Sequence, residues 1–114
     1  MFKIKNIVLL SLLFISGCSP HPVAGSWIAS ADNDLGFEKV VVHFEAELEV
    51  YSKSSSEPVL KCRWWATGKT QVELECMPTA NTEVREKYQF NVMDDDAELV
   101  RQNKVVAYFK RDKE

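Results

Sequence analysis

Apolar and polar residues alternate along most of this chain with a period of two. Val40, Val42, Phe44, Ala46, Leu48 and Val50 interleave with Val41, His43, Glu45, Glu47, Glu49 and Tyr51. Successive side chains of a strand point to opposite faces, so this pattern predicts half-buried strand. The run exceeds the usual length of one strand. A reversal or bulge is therefore expected near Glu45–Glu47, although no Gly or Asn marks it. Phe44, Leu48 and Tyr51 also share a helical face, but the valines at 40, 41 and 42 favour strand.

The same alternation recurs downstream. Leu60, Cys62, Trp64 and Ala66 alternate with Lys61, Arg63 and Trp65. Thr67-Gly68-Lys69 is a turn, and Val72, Leu74 and Cys76 then alternate with Gln71, Glu73 and Glu75. Two such runs about a glycine turn predict a hairpin. Tyr88, Phe90 and Val92 form another inward set, Ala97 to Arg101 a short strand, and Val105, Ala107 and Phe109 a last one with Val106, Tyr108 and Lys110 outside. Gly25 to Ser30 is the first candidate strand. Polar connections punctuate the series at Asp32–Gly36, Ser52–Pro58, Met77–Thr82, Asp94–Asp96 and Gln102-Asn103. The expected fold is all-β: seven or eight short antiparallel strands in an up-and-down order. Closing such a meander into a small barrel removes its exposed edges.

The first residues break the pattern. Lys3 and Lys5 precede an apolar run from Ile7 to Ile15, interrupted only by Ser11, and then Ile15-Ser16-Gly17-Cys18. A basic start, a short apolar stretch and small residues form a secretory signal. The run is shorter than the roughly 20 residues a membrane-spanning helix needs. The tetrad ending at Cys18 resembles the lipobox of bacterial lipoproteins at every position. That resemblance implies diacylglycerol on the Cys18 thiol, cleavage before Cys18 and acylation of the new amino terminus. Ser19 stands where an aspartate would signal inner-membrane retention, which implies an outer-membrane anchor facing the periplasm. The expected organisation is a signal peptide over 1–17, a lipidated spacer over 18–23 with Pro20 and Pro22, and one barrel domain over 24–114. His21 reads as a solvated spacer residue or a weak amino-terminal metal site.

Loss of Lys3 and Lys5 with the leader leaves 12 cations against 17 anions, a net charge of about −5. A mildly acidic domain without a basic cluster is not built to bind nucleic acid. With Cys18 assigned to lipid, two of the three cysteines remain. Cys62 and Cys76 fall on the apolar face of one hairpin, in an oxidising compartment, and are expected to form a disulfide. His21 and His43 offer no ligand spacing with them for zinc. Asp94-Asp95-Asp96 lacks the spacing of a calcium loop and reads as a solvated turn. No metal or cofactor is expected beyond the covalent lipid.

Gly25-x-Trp27 on the first strand, the run of hairpins and the closing Tyr108-Phe109-Lys110-Arg111 together resemble the small bacterial lipocalin-like domains. The resemblance implies that Trp27 plugs one barrel end, covered by Arg111 or Lys110. It also raises a binding cavity for a small apolar or amphipathic ligand, lined by Trp64, Tyr88 and Phe90. Those aromatics equally suit a filled core, since small barrels are often packed by their own side chains.

No nucleophile elbow, phosphate loop or His-Glu-x-x-His is present, so a non-enzymatic role is expected. His43 reads as structural. Trp64 and Trp65 are adjacent, so one must face outward, and Arg63 shares the face of Trp65. Exposed Trp and Arg favour interfaces. The functional expectation is an envelope protein-interaction or accessory module at Trp65 and Arg63. The alternatives are the ligand-binding barrel and an inhibitor of a hydrolase such as lysozyme.

Overall fold

A computed structural model describes residues 21–113. Eight strands follow one another in chain order: β1 (Gly25–Ala29), β2 (Phe37–Val42), β3 (Glu47–Ser52), β4 (Leu60–Ala66), β5 (Gln71–Pro78), β6 (Glu86–Met93), β7 (Asp96–Arg101) and β8 (Lys104–Arg111). Each pairs antiparallel with the next, and β1 pairs with β8, closing the barrel. Closure brings Trp27 opposite Arg111 and Ala29 opposite Phe109.

An eight-stranded barrel has an interior just wide enough to be filled by side chains. Trp27, Val40, Val42, Leu48, Val50, Val72, Leu74, Phe90, Leu99 and Phe109 all point inward and are buried. The Phe90 ring meets Trp27 edge-on, centroids 5.5 Å apart at 80°, and lies 6.0 Å from Phe109. Cys62 opposes Cys76 directly in the β4–β5 ladder, and the two are joined by a disulfide inside the barrel. Tyr88 and Phe90 are core residues. Trp64 is partly buried against that core.

The long alternating run from Val40 to Tyr51 is two strands, not one strand or a helix. His43 N–H donates to Glu47 O at 2.8 Å, closing a three-residue reversal over Phe44, Glu45 and Ala46. Ala46 sits at φ 67°, the left-handed position that such loops usually give to Gly. Phe44 therefore leaves the inward set and is 74% exposed. A turn interrupts the strand period, and parity before it says nothing about the residues within it.

Two bulges explain further departures. The β2–β3 register shifts between Phe37 and Lys39, so Phe37 and Val40 both face inward despite their odd spacing. The β7–β8 register shifts between Leu99 and Val100, and Val106, expected outside, packs against the core. β5 runs on to Pro78, so the expected Met77–Thr82 loop starts at Thr79. Gln102 and Asn103 lie at φ 53° and 64° between paired Arg101 and Lys104, the two-residue turn that suits the twist of a hairpin.

The spacer is shorter than the prolines imply. Val23 is fully buried, because its carbonyl accepts a 2.9 Å hydrogen bond from the Trp27 indole N–H. The segment His21–Val23, within the expected spacer, is thus docked on the barrel ahead of β1. Cys18 and the leader lie outside the described residues.

Candidate functional site: the plugged end and the Trp65 wall

The meander places the entry of β1, the β2–β3, β4–β5 and β6–β7 turns and the carboxyl-terminal segment at one end of the barrel. Trp27 plugs this end. The Arg111 guanidinium lies 4.3 Å from the Trp27 ring centroid, a cation–π contact. Its Nη2 donates to Pro22 O and Asp94 O, both at 3.1 Å, and its Nε to Asp95 Oδ1 at 3.2 Å. Arg111 thus ties the amino-terminal segment to the β6–β7 turn. Lys110 points outward. Of the two basic residues that the resemblance left open for this place, Arg111 occupies it.

Asp95 also receives Lys113 Nζ at 2.7 Å. The Lys113 hydrogen bond, the Lys113 charge and Arg111 hold the Asp95 carboxyl below its ordinary value, against a smaller opposing effect of desolvation. These cations engage the carboxylate on which a calcium reading of Asp94–Asp96 would draw. Among the described residues no cluster of three or more His, Cys, Asp or Glu is placed to hold a metal ion.

His21 is not a free spacer residue. Its Nδ1 accepts from Val23 N–H at 3.1 Å, and its Nε2 lies 3.0 Å from Gly68 O in the β4–β5 turn. Gly68 O can only accept, so both bonds together require the neutral ring protonated at Nε2. The ring also packs 5.9 Å from Trp64, whose indole N–H donates to His43 O at 3.0 Å. Trp64 therefore joins the amino-terminal segment to the β2–β3 turn. His43 itself contacts Glu49 at 3.2 Å. Nothing in the sequence marks the His21 contacts, because Gly68 and Trp64 reach it only through the fold.

Trp65 and Arg63 lie on the outer wall of β4, as their parity predicts. Trp65 is 48% exposed. In the ladder Trp65 opposes Glu73, and Arg63 lies between Glu47 on β3 and Glu75 on β5. An open depression of about 350 Å³ runs along this wall over Glu47, Glu49, Lys61, Arg63, Met77 and Arg85. Its lining alternates charge sign, and Met77 adds an apolar element. Trp65 stands beside this depression rather than in it, so paired polar contacts can form next to an aromatic anchor.

A second depression, of about 500 Å³, lies at the opposite end beside the β1–β2 loop. The Lys53–Asp32 contact at 3.1 Å stands at its rim, exposed on both sides. Asn33 shapes the loop by exchanging two hydrogen bonds with the Phe37 backbone, at 2.8 and 2.9 Å.

Tyr88 is the most perturbed described group. Burial, together with the hydrogen bond and charge of Glu86, pushes its phenol up to about 12, against a smaller opposing effect of Arg101. Its hydroxyl donates to Glu86 Oε1 at 2.9 Å. The Arg101 guanidinium lies 5.5 Å from its ring centroid. This is a clamp across strands: the phenol is held neutral, and its ring faces the core.

No family model, curated protein or solved structure matches this chain.

Proposed function

We propose that this chain is an outer-membrane lipoprotein, anchored through acyl chains on Cys18, whose barrel is a non-enzymatic protein-interaction module of the envelope. The Trp65–Arg63 wall is its contact surface. The observation that carries this reading is the half-exposed Trp65 on an outward face, flanked by Arg63 and a row of carboxylates. Leaving a large aromatic in water has a cost that a partner relieves, and Trp and Arg at a patch centre contribute most to binding.

The ligand-binding alternative has less support. Phe90, Trp27, Phe109 and the Cys62–Cys76 disulfide occupy the space that an acyl ligand would need.

A photo-crosslinking amino acid at position 65, in cells, tests the contact surface. A discrete protein adduct is expected from position 65 and not from position 108, on a different outer wall. Identical adduct patterns from the two positions would sink the reading. Mass spectrometry of the mature amino terminus tests the anchor: acyl mass on residue 18 is expected, and a Cys18→Ser chain should lack it and leave the membrane fraction.

A further inference from the structure

We infer that the plugged end of the barrel is a bilayer-docking face, with Phe44 at the tip of the β2–β3 turn inserted at the lipid interface. The inference rests on the lipid-anchor reading of Cys18.

Three observations converge on this end. Phe44 is the most exposed large apolar side chain among the described residues, at 74%. Turn tips ordinarily carry Gly, Asn, Asp, Ser or Pro, so turn geometry does not call for a phenylalanine. Met93, 54% exposed, lies at the same end, as the last residue of β6. The opposite end also carries exposed apolar groups, Leu35 and Val84, but they are only 38% and 36% exposed, so the larger apolar exposure lies at the plugged end.

The chain path supplies the occupant. Two residues, Ser19 and Pro20, separate His21 from Cys18, and the three Cα-to-Cα steps between them reach at most about 11 Å. His21 is fixed to Gly68 and packs on Trp64, and Trp64 holds the His43 carbonyl next to Phe44. Acyl chains on Cys18 therefore start beside this end of the barrel. A folded domain on so short a tether cannot keep its plugged end far from the membrane. Aromatic side chains are favoured at the level of the lipid headgroups.

Charge attraction is not the driving force. The adjoining turns carry Glu45, Asp94 and Asp96 against Lys69, and Asp95 is paired with Lys113 and Arg111, so this end has no surplus of positive charge to draw it to anionic headgroups. Docking through apolar insertion should survive high salt, whereas an electrostatic contact would weaken. On the Trp65–Arg63 wall, Trp65 lies one residue from the end of β4, next to this face, and Arg63 lies further along the strand.

Spin labelling tests this on lipidated protein in phosphatidylethanolamine–phosphatidylglycerol vesicles. Nitroxides are placed at Phe44→Cys and, at the opposite end, Val84→Cys. Phe44 is exposed, so labelling should leave thermal unfolding unchanged, and that is measured first. The nitroxide at 44 is expected to lose collisions with a water-soluble nickel chelate several-fold relative to the same label on unanchored Cys18→Ser protein. The label at 84 should show no such loss, and neither result should change in high salt. Equal nickel access at 44 and 84, on protein that carries acyl mass and floats with the vesicles, overturns docking and leaves the anchor standing. Absence of acyl mass at residue 18 removes the anchor and the docking together.

Discussion

The Arg111 guanidinium caps the Trp27 ring at 4.3 Å, across the pairing of the first and last strands. Trp27 is fully buried and donates to Val23 O, so truncating it removes both packing and a buried hydrogen bond. Trp27→Ala is expected to destabilise the barrel by about 3–5 kcal/mol, a large share of a small domain's total. Arg111→Lys keeps the charge but cannot reproduce the fork to Pro22 O and Asp94 O. It should cost about 1–3 kcal/mol. Urea denaturation midpoints read both, and an Arg111→Lys midpoint equal to wild type would refute the clasp.

The Cys62–Cys76 bridge closes a loop with a sequence separation of 14. Loops of this size gain about 3 kcal/mol from cross-linking. Reductant should lower the unfolding midpoint accordingly, and the folded protein should show no reactive thiol from either residue before reduction. Two titratable thiols in unreduced, denatured mature protein would contradict the pairing.

Ala46 pays for its left-handed backbone. The cost of that conformation for an L-residue is about 1–2 kcal/mol, and glycine's greater unfolded-state freedom returns roughly 0.5–1 kcal/mol of any gain. Ala46→Gly is therefore expected to stabilise the barrel by about 0.5–1 kcal/mol. A lower melting temperature for this variant would show that the turn is not under strain.

Tyr88 sets an alkaline limit. Its folded pKa lies near 12, above its ordinary value of 10.0. Between these values the unfolded chain has released the phenolic proton and the folded chain retains it. Stability should therefore fall as pH rises from about 10 to about 12. Tyr88→Phe keeps the ring and removes the titration, so its stability should decline less over this window. Parallel declines for the two proteins would assign the effect elsewhere.

The strands were legible because inward and outward residues alternate, and the disulfide because parity placed both cysteines on one face of one hairpin. Phe44 is not legible as a turn residue because its turn carries no Gly or Asn and the alternation runs through it. Phe37 and Val106 depend on bulges, which change parity without a distinctive residue. Pro20 and Pro22 give the sequence around His21 and Val23 the character of a spacer. Their burial and contacts depend on Trp27, Trp64 and Gly68, which only closure of the barrel brings near.

Closure through β1 and β8 also imposes an order on biosynthesis. A chain emerging from its amino terminus can form the middle hairpins early, because each pairs neighbours in sequence. Trp27 stays uncovered until Arg111, on the last strand of the barrel, has been made. The final seam joins the two extremes of the domain, the contact with the largest entropic cost of loop closure. Interruption of the chain before Phe109 would remove all three β1–β8 ladder pairs and leave an open sheet with two bare edges rather than a slightly shorter barrel.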